Sequence, residues 1–325
     1  METVACALCG SGEYQIHLVG RDLSLRLEGS FRIVRCAECG LLYLNPRPTR
    51  DEVEALYPFE SYDQYNAALS KVRSRLVRAD RAYGLRKRAR RVAAWKRGGR
   101  LLDVGCATGD FVEYMRGVGD WEVYGVELNS NAARYVREEL HIPVWQGTLE
   151  EADLPAGHFD VVTMWHVLEH VFDPIATLNQ VARVLKPDGV LLCHVPQLDS
   201  LDARLWGPYW IGYEIPRHTY VWSRHTLSQL MEATGFRVLD SACFYGSYSA
   251  AASSMRFWLR DRLGHEGARR LLERVLFARA TRLAFLPAFF VLDRWKKSSS
   301  LTAICAPVQP EVPGGTVRTG TRVGE

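Results

Sequence analysis

The chain has 325 residues, 47% of them hydrophobic and 24% charged, with a formal net charge of +4. That length can bury a full core and still carry an accessory module, and so small a charge excess implies little about partners. No run reaches the roughly 18 apolar residues of a membrane-spanning helix, and the start Met-Glu-Thr has no secretory pattern, so a cytoplasmic protein is expected.

The first 48 residues read as a small metal-stapled module. Cys6 and Cys9 form one Cys-x-x-Cys turn and Cys36 and Cys39 a second, each followed by glycine. Two such turns complete a tetrahedron of thiolates with no open position, which points to a structural zinc. Redox-active dithiols would need a thioredoxin-like context that is missing. Ile33–Arg35 and Leu41–Leu44 read as short strands, and Cys106, Cys193, Cys243 and Cys305 as small core residues.

Residues 49–99 are expected to be a helical linker or lid. A helix opens at Thr49 toward Leu56 and Tyr57, and 66–96 reads as one long helix ended by Gly98-Gly99. Residues 71–100 hold thirteen Lys or Arg and one Asp. Such a face either contacts phosphates or is simply solvated.

From Arg100 the pattern alternates strand and helix, as in a doubly wound parallel α/β sheet. Strands are predicted at 100–104, 122–126, 143–146, 159–164, 189–195, 236–244 and 301–306, seven in all, with Lys186–Gly189 a turn. Helices are predicted over 130–140 and 174–185. The most informative segment is Leu101–Phe111: an apolar strand, a turn through Gly105 and Gly109, then a helix. This makes a backbone pocket for an anionic group. The spacing Asp-x-Gly-x-x-x-Gly is neither a dinucleotide fingerprint nor a P-loop. One βαβ step later Glu127 ends a strand, where a carboxylate can accept from both hydroxyls of a ribose.

On Asp103, Gly105, Gly109 and Glu127 the chain resembles the class I S-adenosylmethionine-dependent methyltransferases. The resemblance implies a Rossmann-like seven-stranded sheet over 100–247, completed by a last strand at 298–307. It implies that the glycine turn, with Cys106 and Ala107, holds the methionine part of the cofactor. Glu127, with Leu128 beside it, would hold the ribose. Thr148, Leu149 and Glu150 would sit by the adenine, although the more usual Asp after Gly147 is missing. Small-molecule methyltransferases, including sugar C-methyltransferases, and some ribosomal RNA methyltransferases carry similar N-terminal Cys-x-x-Cys pairs.

Met164–Val171 resembles the family's fourth motif, so Trp165 and His166 are expected to line the crevice. His166–His170 also matches the His-x-x-Glu-His signature of inverted zinc peptidases. That reading needs a long helix and another carboxylate ligand. It leaves the Asp103–Glu127 pair unexplained. The aromatic segment 205–222 either walls a small-molecule pocket or belongs to the core. Glu214, Arg217 and His218 are its polar handles. His218 is the first choice for general base and His166 the second, since histidine titrates near operating pH.

Residues 248–297 read as a helical insertion rich in arginine and aromatics. The stretch 256–292 admits membrane contact, packing on the sheet or homodimerisation. The tail from 308 to 325 is expected to be disordered. The expected activity is methyl transfer to a small-molecule acceptor, such as a sugar or natural-product intermediate. The rival readings are an RNA methyltransferase and a methyltransferase-like binding protein; against the first, no Asn-Pro-Pro-Tyr-type motif is present.

Overall fold

A computed structural model describes residues 1–53 and 75–308. The expected start of the long helix over 66–74 and the tail from 309 lie outside the described residues. Two sheets organise the chain. The larger has seven strands: β4 (Gly98–Val104), β5 (Asp120–Glu127), β6 (Val144–Gln146), β7 (Phe159–Trp165), β8 (Leu185–Pro196), β10 (Phe236–Ala242) and β11 (Ser300–Pro307). Their order is β10-β11-β8-β7-β4-β5-β6. β4 through β8 run parallel to one another, and β11 is antiparallel to both β8 and β10. This is the expected Rossmann-like methyltransferase sheet. Lys186–Gly189, expected as a turn, lies within the range of β8, opposite a register shift between Phe159 and Val161.

Alternation on the strands divides the core between two faces. Leu101, Val161 and Leu192 pack on one side with Leu85, Ala89 and Val92. Those three come from α2 (Arg75–Ala93), which follows the short α1 (Arg50–Val53). Leu102, Val162 and Leu191 pack on the other side, in a cluster that includes Cys6, Val34, Tyr43 and Trp222. The helices between strands are α3 (Asp110–Arg116), α4 (Ser130–Glu138), α5 (Pro174–Val184), α6 (Leu201–Trp206) and α7 (Arg224–Ala233). Local chemistry starts them: the side chains of Asn129 and Asp173 each accept two backbone N–H groups, and Ser223 with Thr226 forms a capping box.

The smaller sheet has the order β1-β2-β3-β9, all antiparallel. Its strands β1 (Tyr14–Gly20), β2 (Phe31–Cys36) and β3 (Leu42–Leu44) belong to the cysteine module, but β9 (Tyr220–Val221) comes from the far side of the aromatic segment. The module is therefore joined to the catalytic body by strand pairing. The insertion consists of α8 (Ser247–Arg262), α9 (Glu266–Leu276) and α10 (Arg279–Arg294), placed between β10 and β11. Among the described residues no single helix is long and apolar enough to cross a membrane.

Candidate active site

The donor side is built from the carboxyl ends of β4, β5 and β7. Backbone amides of Gly105 and Cys106 donate to the Val126 carbonyl at 2.8 and 3.1 Å, locking the glycine turn to β5. Gly105 has φ +70°, and a Cβ there would lie 2.6 Å from Val167 Cγ2, so the turn can close only with glycine. Glu127 is buried, and its two carboxylate oxygens accept from the amides of Ala107 and Asn129, each at 2.8 Å. These two amides fix the position of the carboxylate at the end of β5. Leu128 beside it is 59% exposed, an apolar surface at the rim.

Asp103 is buried and accepts from Thr163 Oγ1 at 2.6 Å. Burial pushes its carboxyl up to about 7. Cys106 is buried with its sulfur against Gly125. In the loop after β6, Leu149 is buried in the core, while Glu150 accepts from Thr177 on α5. Thr148 donates its N–H to Glu151 at 2.9 Å, and its hydroxyl is buried without a partner.

Arg88 was hidden among the thirteen basic residues of 71–100 and was not singled out from the sequence. Its guanidinium lies 5.0 Å from the Phe111 ring, 5.5 Å from Trp165 and 5.1 Å from Tyr245. The Nε of Arg88 and the Nε1 of Trp165 are buried without a hydrogen-bond partner. Buried polar atoms of this kind are rare unless a ligand or water satisfies them. Together with the braced acceptor Glu127 they supply the donors and acceptor that an amino acid joined to a nucleoside requires, so the residues present fit S-adenosylmethionine.

The opposite side of the site, the candidate acceptor side, is organised around Glu169. The segment 166–170 is a turn and not a helix, so the long helix that the peptidase reading needs is missing there. His166 has φ +59°, unusual for a non-glycine residue and a pattern concentrated at functional sites. Its Nδ1 meets Glu169 Oε1 at 2.9 Å. The imidazole is about one-third exposed, whereas Glu169 is fully buried and its Oε2 has no hydrogen-bond partner. Glu169 in turn is held by its backbone: its carbonyl accepts from the amides of Thr219 and Tyr220 at 2.8 and 3.1 Å, at the entry to β9.

His218 is buried. It uses Nδ1 on the Gly212 carbonyl at 2.8 Å, and its Nε2 lies 3.4 Å from Glu214 Oε2. Burial lowers both His218 and His170 to about 4, so both imidazoles are neutral at pH 7. Glu214 and Arg217 form an ion pair at 3.2 Å, and Arg217 makes a two-pronged pair with Asp22 at 2.7 and 3.1 Å. The rings of Trp210, Tyr213, Tyr220 and Trp222 are buried in core clusters. Of the two readings of the aromatic segment, the structure takes packing.

Cys6, Cys9, Cys36 and Cys39 place their sulfurs within 4.8 Å of one another, with Cys6–Cys39 at 3.5 Å and Cys9–Cys36 at 3.4 Å. The edge of a zinc–thiolate tetrahedron is about 3.8 Å for Zn–S bonds near 2.3 Å, so the donor set fits zinc. Gly10 and Gly40, at φ +76° and +74°, let each turn fold back so that their amides donate to the Cys6 and Cys36 carbonyls.

Comparison with known proteins agrees with this geometry. The family described as "Methyltransferase domain" matches residues 77–241, half of the chain. The chain belongs to the class I S-adenosylmethionine-dependent methyltransferases. This methyltransferase is 34% identical over 132 residues to a ubiquinone biosynthesis O-methyltransferase of Cereibacter sphaeroides, covering 38% of this chain and 53% of the relative. It is 32% identical over 156 residues to the enzyme of that name from a Ruegeria species, covering 45% and 63%. The methyltransferase thus spans between about half and two thirds of the length of these relatives. Among solved structures it shares its fold with the cyclase SpnF, at a TM-score of 0.51 and 16% identity over 81% of this chain and 99% of the other.

Proposed function

We propose that this methyltransferase methylates a small-molecule acceptor, with His166 taking the acceptor's proton and Glu169 positioning it. The observation that carries the reading is the His166–Glu169 pair: a partly exposed imidazole at the crevice, tied at 2.9 Å to a buried carboxylate. A carboxylate that accepts from Nδ1–H leaves Nε2 as the basic nitrogen and stabilises the imidazolium once formed. His218 is the weaker candidate because it is buried and held by Gly212, so we assign it and Glu214 to shaping the loop. This reverses the order expected from sequence.

When bound, S-adenosylmethionine supplies an electrophilic methyl group on its sulfonium. Glu127 would accept the ribose hydroxyls, and Leu128 and the Thr148 hydroxyl would face the adenine. The turn from Gly105 to Gly109 would back the methionine part, and Arg88 would meet its carboxylate. Much of the acceleration would come from alignment of donor and acceptor. Cys6, Cys9, Cys36 and Cys39 would hold a structural zinc that takes no part in the chemistry.

A small acceptor is favoured over RNA by the use made of the basic helix. Arg81 pairs with Asp110, Lys87 donates to Phe244, Lys96 pairs with Asp188, and Arg88 and Arg91 lie on aromatic rings of the body. The names of the two curated relatives point the same way. The test uses S-adenosylmethionine carrying a labelled methyl group and a whole-cell extract, separated afterwards into low-molecular-weight and RNA fractions. Label should enter the low-molecular-weight fraction. His166→Gln should lower transfer by roughly 100-fold or more while cofactor binding by calorimetry stays within about twofold. Label found only in RNA, or full activity in His166→Gln, would overturn the reading. Metal analysis should find zinc in His166→Gln and none in Cys36→Ser.

A further inference from the structure

The insertion leaves a large apolar surface uncovered. No residue of α9 or α10 is buried. The two helices meet at a 58° bend and pack on α8 and on each other. Leu271, Phe277, Leu283, Phe285, Phe290 and Trp295 are all exposed, Phe290 by 72% and Trp295 by 68%. Contiguous exposure on this scale marks an interaction surface.

Charge says which kind of partner covers it. Residues 256–297 hold eleven Lys or Arg and four Asp or Glu, a net of +7 in a chain whose total is +4. The rest of the protein sums to −3, with its own basic run over 71–100 tied largely to the body of the fold. Within α10 the apolar run 283–292 is bracketed by Arg279 and Arg282 before it, and by Arg294, Trp295 and Lys297 after it. A helical run of that length is about 15 Å long at 1.5 Å per residue, half the hydrocarbon thickness of a bilayer. It is too short to cross but suited to lying in the headgroup layer, with arginines and tryptophan at the polar boundary. A second copy is disfavoured, since joining two such faces would bring two net charges of +7 together.

We propose that α9 and α10 dock this protein on the surface of an anionic phospholipid bilayer. The docking face is coupled to the crevice. Its neighbour α8 starts directly after Tyr245, whose ring lies 5.8 Å from that of His194 and under Arg88. α8 also receives the Ile211 amide on Ser254 Oγ at 3.0 Å. On the methyl-transfer reading above, docking would hold the crevice beside the lipid, where an amphiphilic acceptor concentrates. Lipid binding itself can be scored without any methyl transfer, so the two ideas fail separately.

The test is co-sedimentation of the full chain with vesicles. One set is phosphatidylcholine alone, and the other contains about one part phosphatidylglycerol to two of phosphatidylcholine. Binding should be at least about tenfold tighter on the anionic vesicles and should weaken with added salt. Phe285→Ser with Phe290→Ser should cut binding about tenfold or more, and Arg274→Gln with Arg294→Gln should reduce the preference for anionic lipid. Retained S-adenosylmethionine binding shows that each variant is folded. Failure to bind anionic vesicles, or binding that the phenylalanine variant leaves unchanged, would overturn the proposal. So would a dimer by light scattering that the same phenylalanine variant dissociates, which would give the face to a second copy.

Discussion

The two sides of the crevice are built by opposite strategies. The donor side is local: Asp103, Gly105 and Glu127 lie within 25 residues on two adjacent parallel strands, braced by backbone amides of the same loops. The acceptor side is assembled from afar. Glu169 is held by the entry to β9, β9 completes the sheet of the cysteine module, and Arg217 reaches Asp22 across 195 residues. Parallel strands with a glycine turn can serve any reaction that uses the same donor. On the proposed reading, the side that meets the acceptor is tied to the cysteine module, so that module would act on the chemistry through geometry alone.

This contrast can be broken experimentally. The largest effect is expected from Arg217→Met, which strands the Asp22 carboxylate in the interior. Breaking one partner of a buried pair costs about 3–5 kcal/mol, and the midpoint of denaturant unfolding should fall accordingly. An unchanged midpoint would mean that the module is held by its strands alone.

Acid should loosen the same side. His170 and His218 are held near 4 in the folded state, below the 6.5 of the free side chain. The unfolded chain therefore binds more protons in this window. Stability is complete above about 6.5 and falls as pH drops toward 4, by on the order of 3 kcal/mol per histidine. Urea titrations at pH 7 and 5 would measure it. In His218→Phe the slope with pH should diminish by about half.

On the donor side, Glu127→Ala should weaken cofactor binding by roughly 30-fold, about 2 kcal/mol, because charged hydrogen bonds are lost. Zinc content should stay intact, as the comparison requires. The smallest effect is expected from Asn129→Ala, which removes the cap of α4. It should lower stability by about 1 kcal/mol, read as a drop of a few degrees in Tm.

Legibility in the sequence followed the same division. Strand periodicity and two glycines were enough to place the donor turn, because every contact that shapes it is near in the chain. Arg88 could not be told from its twelve basic neighbours in 71–100, since only the packing of α2 decides which arginine faces Phe111 and Trp165. Composition likewise could not say which way the rings of 205–222 point. The two-residue strand β9 has no periodicity to detect, and its role depends on a partner more than 170 residues earlier. Glu169 was visible as a letter in a motif, but its pairing with His166 depends on the turn that folds the two side chains together.

The late arrival of β9 bears on how the chain is made. The cysteine module leaves the ribosome before β9, so the free edge of β3 is capped only when Tyr220 and Val221 emerge. At about 5–20 residues per second that is a wait of roughly 10–35 s. For that interval the nascent chain carries an unpaired edge strand, a site for misassociation between neighbouring chains.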